Sequence, residues 1–209
     1  MKHENNYSAC RKTQCEVQPD KEYWDTRWKN QETGWNIGYP APALTNYIDR
    51  IADKNTAILI PGCGNAYEAE YLVAQGFTNI TLIDIASTAV EKLKNKFQKN
   101  QAIAVLCEDF FQHNGKYDLV LEQTFFCAIA PAQRKDYAKK MHEILNHNGR
   151  VAGLLFNKQF NKPHPPFGGS LGEYQSIFDP YFEIEKMETC YNSIEPRKGH
   201  ELFIRLLKK

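Results

Sequence analysis

Three observations predict an α/β fold, a doubly wound parallel sheet with helices on both faces. Ala57–Ile60 is a short, unbroken apolar run, the pattern of a strand buried on both sides in a parallel sheet. Pro61-Gly62-Cys63-Gly64 follows at once, a turn whose glycines can take backbone angles closed to other residues. Helical and extended patterns then alternate towards the C-terminus, which is the order of successive βαβ units. At 209 residues the chain suits one domain with a sizeable core.

Residues 1–19 are polar, lack periodicity and are expected to form a flexible segment ahead of a single domain spanning 20–209. Asp20 is placed to cap a short helix carrying Tyr23, Trp24 and Trp28, with the two tryptophans at i and i+4 on one face. Trp35 follows, so all three tryptophans precede the sheet. Leu44, Tyr47, Ile48 and Ile51 mark a second helix. Residues 20–53 are expected to form an aromatic lid, although packing of an amphipathic helix explains the same aromatics. Beyond the glycine turn a helix begins at Tyr67, with Tyr67, Tyr71, Leu72 and Ala74 near one face and Gly76 as its stop. A strand at Asn79–Ile83 delivers Asp84 at its carboxyl end.

Ser87 or Thr88 is expected to cap the next helix, with Thr88 and Glu91 at capping-box spacing and Val90, Leu93 and Phe97 buried. Ala102–Leu106 and Tyr117–Leu121 read as strands; Arg134–Leu145 reads as a helix with Tyr137, Met141, Ile144 and Leu145 inward, terminated by Asn148-Gly149. Val151–Phe156 is a fifth strand, followed by the Pro/Gly-rich stretch Asn157–Gly169, a loop long enough to suggest that it covers a site. Ser170 opens a helix to about Phe178, and strands near Phe182–Cys190 and Glu201–Leu207 finish the chain.

Composition narrows the partners. Twenty-six basic residues balance 25 acidic ones, for a net charge of +1, so there is no electrostatic footprint for nucleic acid. No apolar run approaches the ~20 residues of a membrane span, and no signal-peptide core is present. The six cysteines and six histidines lack metal-ligand spacing, and no metal is expected. A cytoplasmic, monomeric chain with reduced thiols is the expectation.

The glycine turn and Asp84, about 20 residues further on, describe a nucleoside site: the glycines admit a ligand to the backbone, and the carboxylate accepts the ribose hydroxyls. A dinucleotide fingerprint would have a third glycine where Tyr67 stands, and the Lys-Ser/Thr pair of a phosphate loop is missing too. S-adenosylmethionine has a ribose and no phosphate, so it is expected over NAD. Asp109, at the next strand's tip and followed by Phe110, suits an adenine amino group and ring. Trp28, Trp35, Phe125, Phe126 and Phe167 are candidate walls of a water-poor pocket, in which a soft anionic nucleophile would react without a dedicated base. Cys63 and Cys127 are read as packing residues. An NAD-linked oxidoreductase and a binding domain without catalysis are the alternatives.

The run Trp24-x3-Trp28-x6-Trp35-Asn-Ile-Gly-Tyr-Pro-Ala-Pro-Ala-Leu, Pro61-Gly62-Cys63-Gly64, and Glu122-Gln-Thr-Phe-Phe-Cys-Ala-Ile129 with Arg134 and Tyr137 resembles the thiopurine S-methyltransferase family. The likeness is greatest to its thiol and halide methyltransferase branch and covers Tyr23 to the C-terminus. It implies a class I methyltransferase fold, a mostly parallel seven-stranded sheet with its last strand antiparallel. It implies methyl transfer from S-adenosylmethionine to a small methyl acceptor such as a thiol, a thiopurine-like compound or a halide. Carried over by position, cofactor contacts fall on Trp24, Trp28, Trp35, Gly62, Asp84, Asp109, Phe110 and Gln123, with Gly64 in the same turn. Arg134 and Tyr137, with Phe125 and Phe167, are the candidates for the acceptor side.

Overall fold

A computed structural model describes residues 19–209; the expected flexible segment lies, but for its last residue, outside the described residues. The elements are α1 (Lys21–Lys29), α2 (Pro42–Ile48), β1 (Ile58–Pro61), α3 (Tyr67–Ala74), β2 (Ile80–Asp84), α4 (Ser87–Phe97), β3 (Ile103–Cys107), β4 (Tyr117–Gln123), α5 (Arg134–Ile144), β5 (Leu145–Phe156), α6 (Leu171–Phe178), β6 (Phe182–Thr189) and β7 (Glu201–Lys208). The strands form one seven-stranded sheet in the order β3-β2-β1-β4-β5-β7-β6. β1 to β5 pair in parallel, whereas β7 inserts antiparallel between β5 and β6.

Side chains alternate along each buried strand and so supply two cores. Ile58 and Ile60 of β1 face α2 and α3 together with Leu44, Ile48, Ala69 and Leu72. Leu59 faces the other layer with Tyr137, Met141 and Phe178 of α5 and α6. The strand order reverses between β1 and β4, where the chain returns from the β3 edge to the middle of the sheet. Such a reversal opens a crevice at the strands' carboxyl ends. The glycine turn leaves β1 there, and the Gln123–Cys127 segment leaves β4 beside it.

Local differences from the sequence-based expectations have physical causes. α3 buries Glu68, Ala69 and Leu72, while Tyr67 and Tyr71 are half-exposed. Glu68 turns inward because its carboxylate accepts the Ala41 N–H at 2.9 Å. Gly76 stops α3 as expected: at φ +87° its N–H reaches Val73 O at 3.0 Å, and Phe77 N–H reaches Leu72 O at 3.1 Å. α5 ends at Ile144 and passes directly into β5, not at Asn148-Gly149. Leu145 is fully buried and pairs with Tyr117, so sheet pairing claims it from the helix. Register then jumps to Leu119↔Arg150, and Asn148 takes φ +61° within the bulge.

The expected capping box of α4 does not form. Its N-cap is Ala86, which offers no side-chain acceptor. Asp25, from the middle of α1, accepts the Thr88 N–H at 2.8 Å and the Ser87 hydroxyl at 3.2 Å instead.

Candidate active site

At the crevice a cavity of about 810 Å³ collects the tips of three consecutive strands. Gly62 and Gly64, after β1, take φ +55° and +54°, the left-handed region that the turn requires. A Cβ on Gly62 would meet the Phe125 ring at 2.5 Å, so its missing side chain lets the β4 turn lie against the β1 turn. A Cβ on Gly64 would project towards Trp35 and Trp28, 3.8 and 3.9 Å away, into the space between turn and tryptophans.

Asp84, at the tip of β2, is buried and faces the same space. One carboxylate oxygen accepts the Gly64 N–H at 3.1 Å and the other the Ala86 N–H at 2.9 Å. Burial raises its pKa, and those backbone donors oppose the rise. Asp109, beyond β3, caps a 3-10 turn by accepting the Phe111 N–H at 3.0 Å, and the next residue, Phe110, is buried against the Phe125 and Tyr137 rings. Trp24, Trp28 and Trp35 close one side, with Trp35 edge-on to Trp24 at 5.5 Å and to Trp28 at 5.8 Å. Eight of the nine cofactor candidates thus line a single cavity: Trp24, Trp28, Trp35, Gly62, Gly64, Asp84, Asp109 and Phe110. Gln123 lines a small adjoining pocket with Trp35, Gly62 and Gly64, its amide oxygen 3.1 Å from the Thr124 hydroxyl.

The model of the thiopurine S-methyltransferase family matches residues 19–206, and a probable thiol methyltransferase 2 of Arabidopsis thaliana is 31% identical over 184 residues, covering 85% of this chain and 81% of the relative. The chain belongs to the thiopurine S-methyltransferase family. A thiopurine S-methyltransferase of Acinetobacter baylyi is 24% identical over 204 residues, covering 86% of this chain and 93% of that one. Among solved structures, the 1,6-didemethyltoxoflavin-N1-methyltransferase of Burkholderia thailandensis superposes with a TM-score of 0.72 at 14% identity, covering 90% of this chain and 87% of that one. The magnesium protoporphyrin IX methyltransferase of Synechocystis superposes at 0.69 with 13% identity, covering 90% and 95%. The fold is that of class I methyltransferases, and as a family member the chain is an S-adenosylmethionine-dependent methyltransferase.

In this methyltransferase the acceptor-side candidates separate. Phe125 lines the cavity. Tyr137 is fully buried behind it and donates to Glu122 Oε2 at 2.6 Å. Arg134 is also buried: it pairs with Glu173 at 2.6 Å, donates to Gly168 O at 2.8 Å and lies 4.8 Å from the Phe126 ring centre. Phe126 and Phe167 are core residues, and Phe167 N–H donates to Cys127 O at 2.7 Å. The structure therefore places Arg134, Tyr137, Phe126 and Phe167 around the wall and not on its surface.

Burial pushes the Cys127 thiol up to about 12 and the Cys63 thiol well above its usual range, so neither is a nucleophile near neutral pH. Among the described residues no cluster of His, Cys, Asp or Glu could hold a metal ion, and no helix is long and apolar enough to cross a membrane.

Two residues of the site lie outside the sequence-based candidates. Glu122 is fully buried at the end of β4 and pushed up to about 7 by desolvation. Arg197 lines the cavity from the β6–β7 connection, donating to Glu201 at 3.3 Å and to Trp35 O at 3.2 Å. Glu122 reads in sequence as one more strand-end acid, and only the fold closes the core around it. Arg197 lies 162 positions from Trp35, a separation over which no local pattern extends.

Proposed function

We propose that this chain transfers the methyl group of S-adenosylmethionine to a small soft nucleophile, a thiol or a related anion of the thiocyanate or halide kind. The observation that carries this reading is the convergence of two left-handed glycines, the Asp84 and Asp109 carboxylates and three tryptophans on one cavity. The residues fit an adenosyl sulfonium. Each Asp84 oxygen holds one backbone N–H, which leaves further lone pairs on both for the two ribose hydroxyls. Asp109 uses Oδ1 on the Phe111 N–H, leaving Oδ2 for the adenine amino group, with Phe110 as a ring contact. Gln123 lines the adjoining pocket beside Gly62, and among the described residues its amide nitrogen has no hydrogen-bond partner, which suits it to the amino-acid end of the ligand. The tryptophan wall favours a cation by about 0.5–2 kcal/mol.

When bound, S-adenosylmethionine supplies an electrophilic methyl group open to in-line displacement. The chain holds the acceptor on that group's far side and keeps water away, and orientation of this kind is worth about 7–11 kcal/mol. Phe125, Ile129, Phe156, Phe160 and the Pro165-Pro166 pair give the acceptor end an apolar lining. An anion there loses hydration that would hold back its attack. Arg197, its charge balanced by Glu201 at 3.3 Å, brings guanidinium N–H donors to the same end, where they can meet an anionic acceptor. A thiol with a pKa near ~8.5 is already partly ionised at neutral pH, so no general base is needed.

The test is incubation with methyl-labelled S-adenosylmethionine and a panel of aryl thiols, alkyl thiols, thiocyanate, iodide and amines. Transfer to at least one sulfur or halide acceptor and to no amine is expected. Transfer to amines alone would overturn the substrate class, and protection by NAD but not by S-adenosylhomocysteine in a thermal melt would overturn the cofactor assignment.

A further inference from the structure

We propose that Asp25 is a positioning residue that latches the tryptophan helix α1 onto the N-terminus of α4 and so sets the wall of the methyl-donor cavity. The inference rests on the reading of that cavity given above and concerns how its aromatic side is held in place.

α1 carries Trp24 and Trp28 on the face that meets the cavity and Asp25 between them. Among the described residues, the only hydrogen bonds joining α1 to another element are donated to Asp25 Oδ1 by the Thr88 N–H (2.8 Å) and the Ser87 hydroxyl (3.2 Å). Its other oxygen meets Lys29 of the same helix at 2.7 Å. Apolar contact completes the seam, with Trp28 packed on Ala86 and Ala89. Asp25 is buried with hydrogen bonds on both oxygens, and its carboxyl is held well below the usual range by Lys29 and then by the Thr88 N–H.

The receiving end has a specific need. The first backbone N–H groups of a helix have no partner within it, and Ala86 at the N-cap of α4 supplies none. Asp84 takes the Ala86 N–H, and Asp25 takes that of Thr88. One carboxylate therefore comes from the proposed ribose-binding strand tip and the other from the tryptophan helix, both onto one helix terminus. Detaching α1 would leave an N–H of α4 uncapped, remove Trp28 from opposite Gly64 and take Trp24 from the cavity wall. A local cap in place of Ala86 would make Asp25 dispensable for α4 while leaving α1 untethered. Cap and latch are thus separable by substitution.

The experiment compares wild type, Asp25→Ala, Asp25→Asn and the double variant Asp25→Ala/Ala86→Ser, in which the introduced hydroxyl restores the missing cap. Dissociation constants for S-adenosylhomocysteine are measured by calorimetry, and its quenching of the tryptophan fluorescence is followed, at a temperature where every variant is folded by circular dichroism. Asp25→Ala should bind about tenfold more weakly or worse, within the usual range of coupling between sites. The double variant should melt later than Asp25→Ala and still bind as weakly, with its tryptophan quenching reduced. Asp25→Asn, which keeps the accepting oxygen, should recover most of the affinity. Wild-type affinity in folded Asp25→Ala, or its return together with the melting temperature in the double variant, would overturn the latch. Failure of the wild-type protein itself to bind S-adenosylhomocysteine would sink the cavity assignment instead, so the two failures are distinguishable.

Discussion

At Glu122 two forces oppose one another. Its carboxylate accepts the N–H groups of Phe125 and Phe126 at 2.8 and 2.9 Å and the Tyr137 hydroxyl at 2.6 Å, all of which favour the ionised form. Complete burial favours the neutral form and prevails, lifting the group from 4.5 to about 7. Gly153 makes the site possible, since a Cβ there would collide with the Glu122 side chain. The acid fixes the turn that presses Phe125 onto Gly62. Because the folded pKa lies above the unfolded one, its contribution to stability is complete below about 4.5 and is lost as pH rises through about 7, on the order of 3 kcal/mol in all. Glu122→Gln should flatten that part of the stability–pH curve, read as the difference from wild type in urea denaturation between pH 4.5 and 8. A wild-type slope in the variant would refute the assignment. Asp84 yields a second residue-scale expectation. Asp84→Asn keeps one oxygen for a backbone N–H and loses the charge, which is expected to cost about 1.5–3 kcal/mol of donor affinity, roughly 10- to 150-fold by calorimetry with S-adenosylhomocysteine.

Among the elements, the Asn157–Gly169 loop shows where sequence reasoning reaches and where it stops. Its composition marks it as a cover for a site, and Phe160, Pro165 and Pro166 do line the cavity. The role of Arg134 is hidden. A cation four residues ahead of Ala138, at the start of a helix, reads as exposed or substrate-facing, yet it is 2% exposed and spans from Glu173 to the loop's Gly168 carbonyl. Only the packing of α5 against α6 brings these groups together. The strands, the helix stop at Gly76 and the Ser170 cap are legible because each follows from local periodicity or a turn residue. The cap of α4 and the start of β5 are not, because a partner distant in sequence supplies each one. Removing Arg134 leaves Glu173 and the Gly168 carbonyl without their cation. Glu173 is partly exposed and water can screen it, so the cost falls mainly on the unsatisfied Gly168 carbonyl, and Arg134→Ala is expected to lose about 1–3 kcal/mol of stability. In the fraction that stays folded, KM for the acceptor should rise while S-adenosylhomocysteine affinity holds, since the loop and not the glycine turn is loosened. An unchanged acceptor KM would count against the loop as a wall of the acceptor end.

For the molecule as a whole, the cavity is a junction. Its lining comes from α1, the tips of β1 to β4, the loop after β5 and the β6–β7 connection, so a ligand there touches nearly every part of the sheet's carboxyl edge. Arg197 makes the closure explicit, joining the last connection to the Trp35 carbonyl near the start of the domain. Ligand binding should then stabilise the whole fold and not a local segment. A ligand at 100 times its dissociation constant adds about 2.7 kcal/mol to a state that only the folded protein can bind. For a chain of this size each kcal/mol raises the midpoint by about 2–4 °C, so saturating S-adenosylhomocysteine should move a single, sharp melting transition upwards by about 5–10 °C. NAD at the same concentration should leave it in place, because Tyr67 stands where a dinucleotide turn needs its third glycine. Trp24→Ala or Trp28→Ala should diminish the shift by weakening the aromatic side, and scanning calorimetry with and without ligand measures all of these together. Two separated transitions, with ligand moving only one, would mean that α1 and its tryptophans melt apart from the sheet, and the junction described here would then not exist in solution.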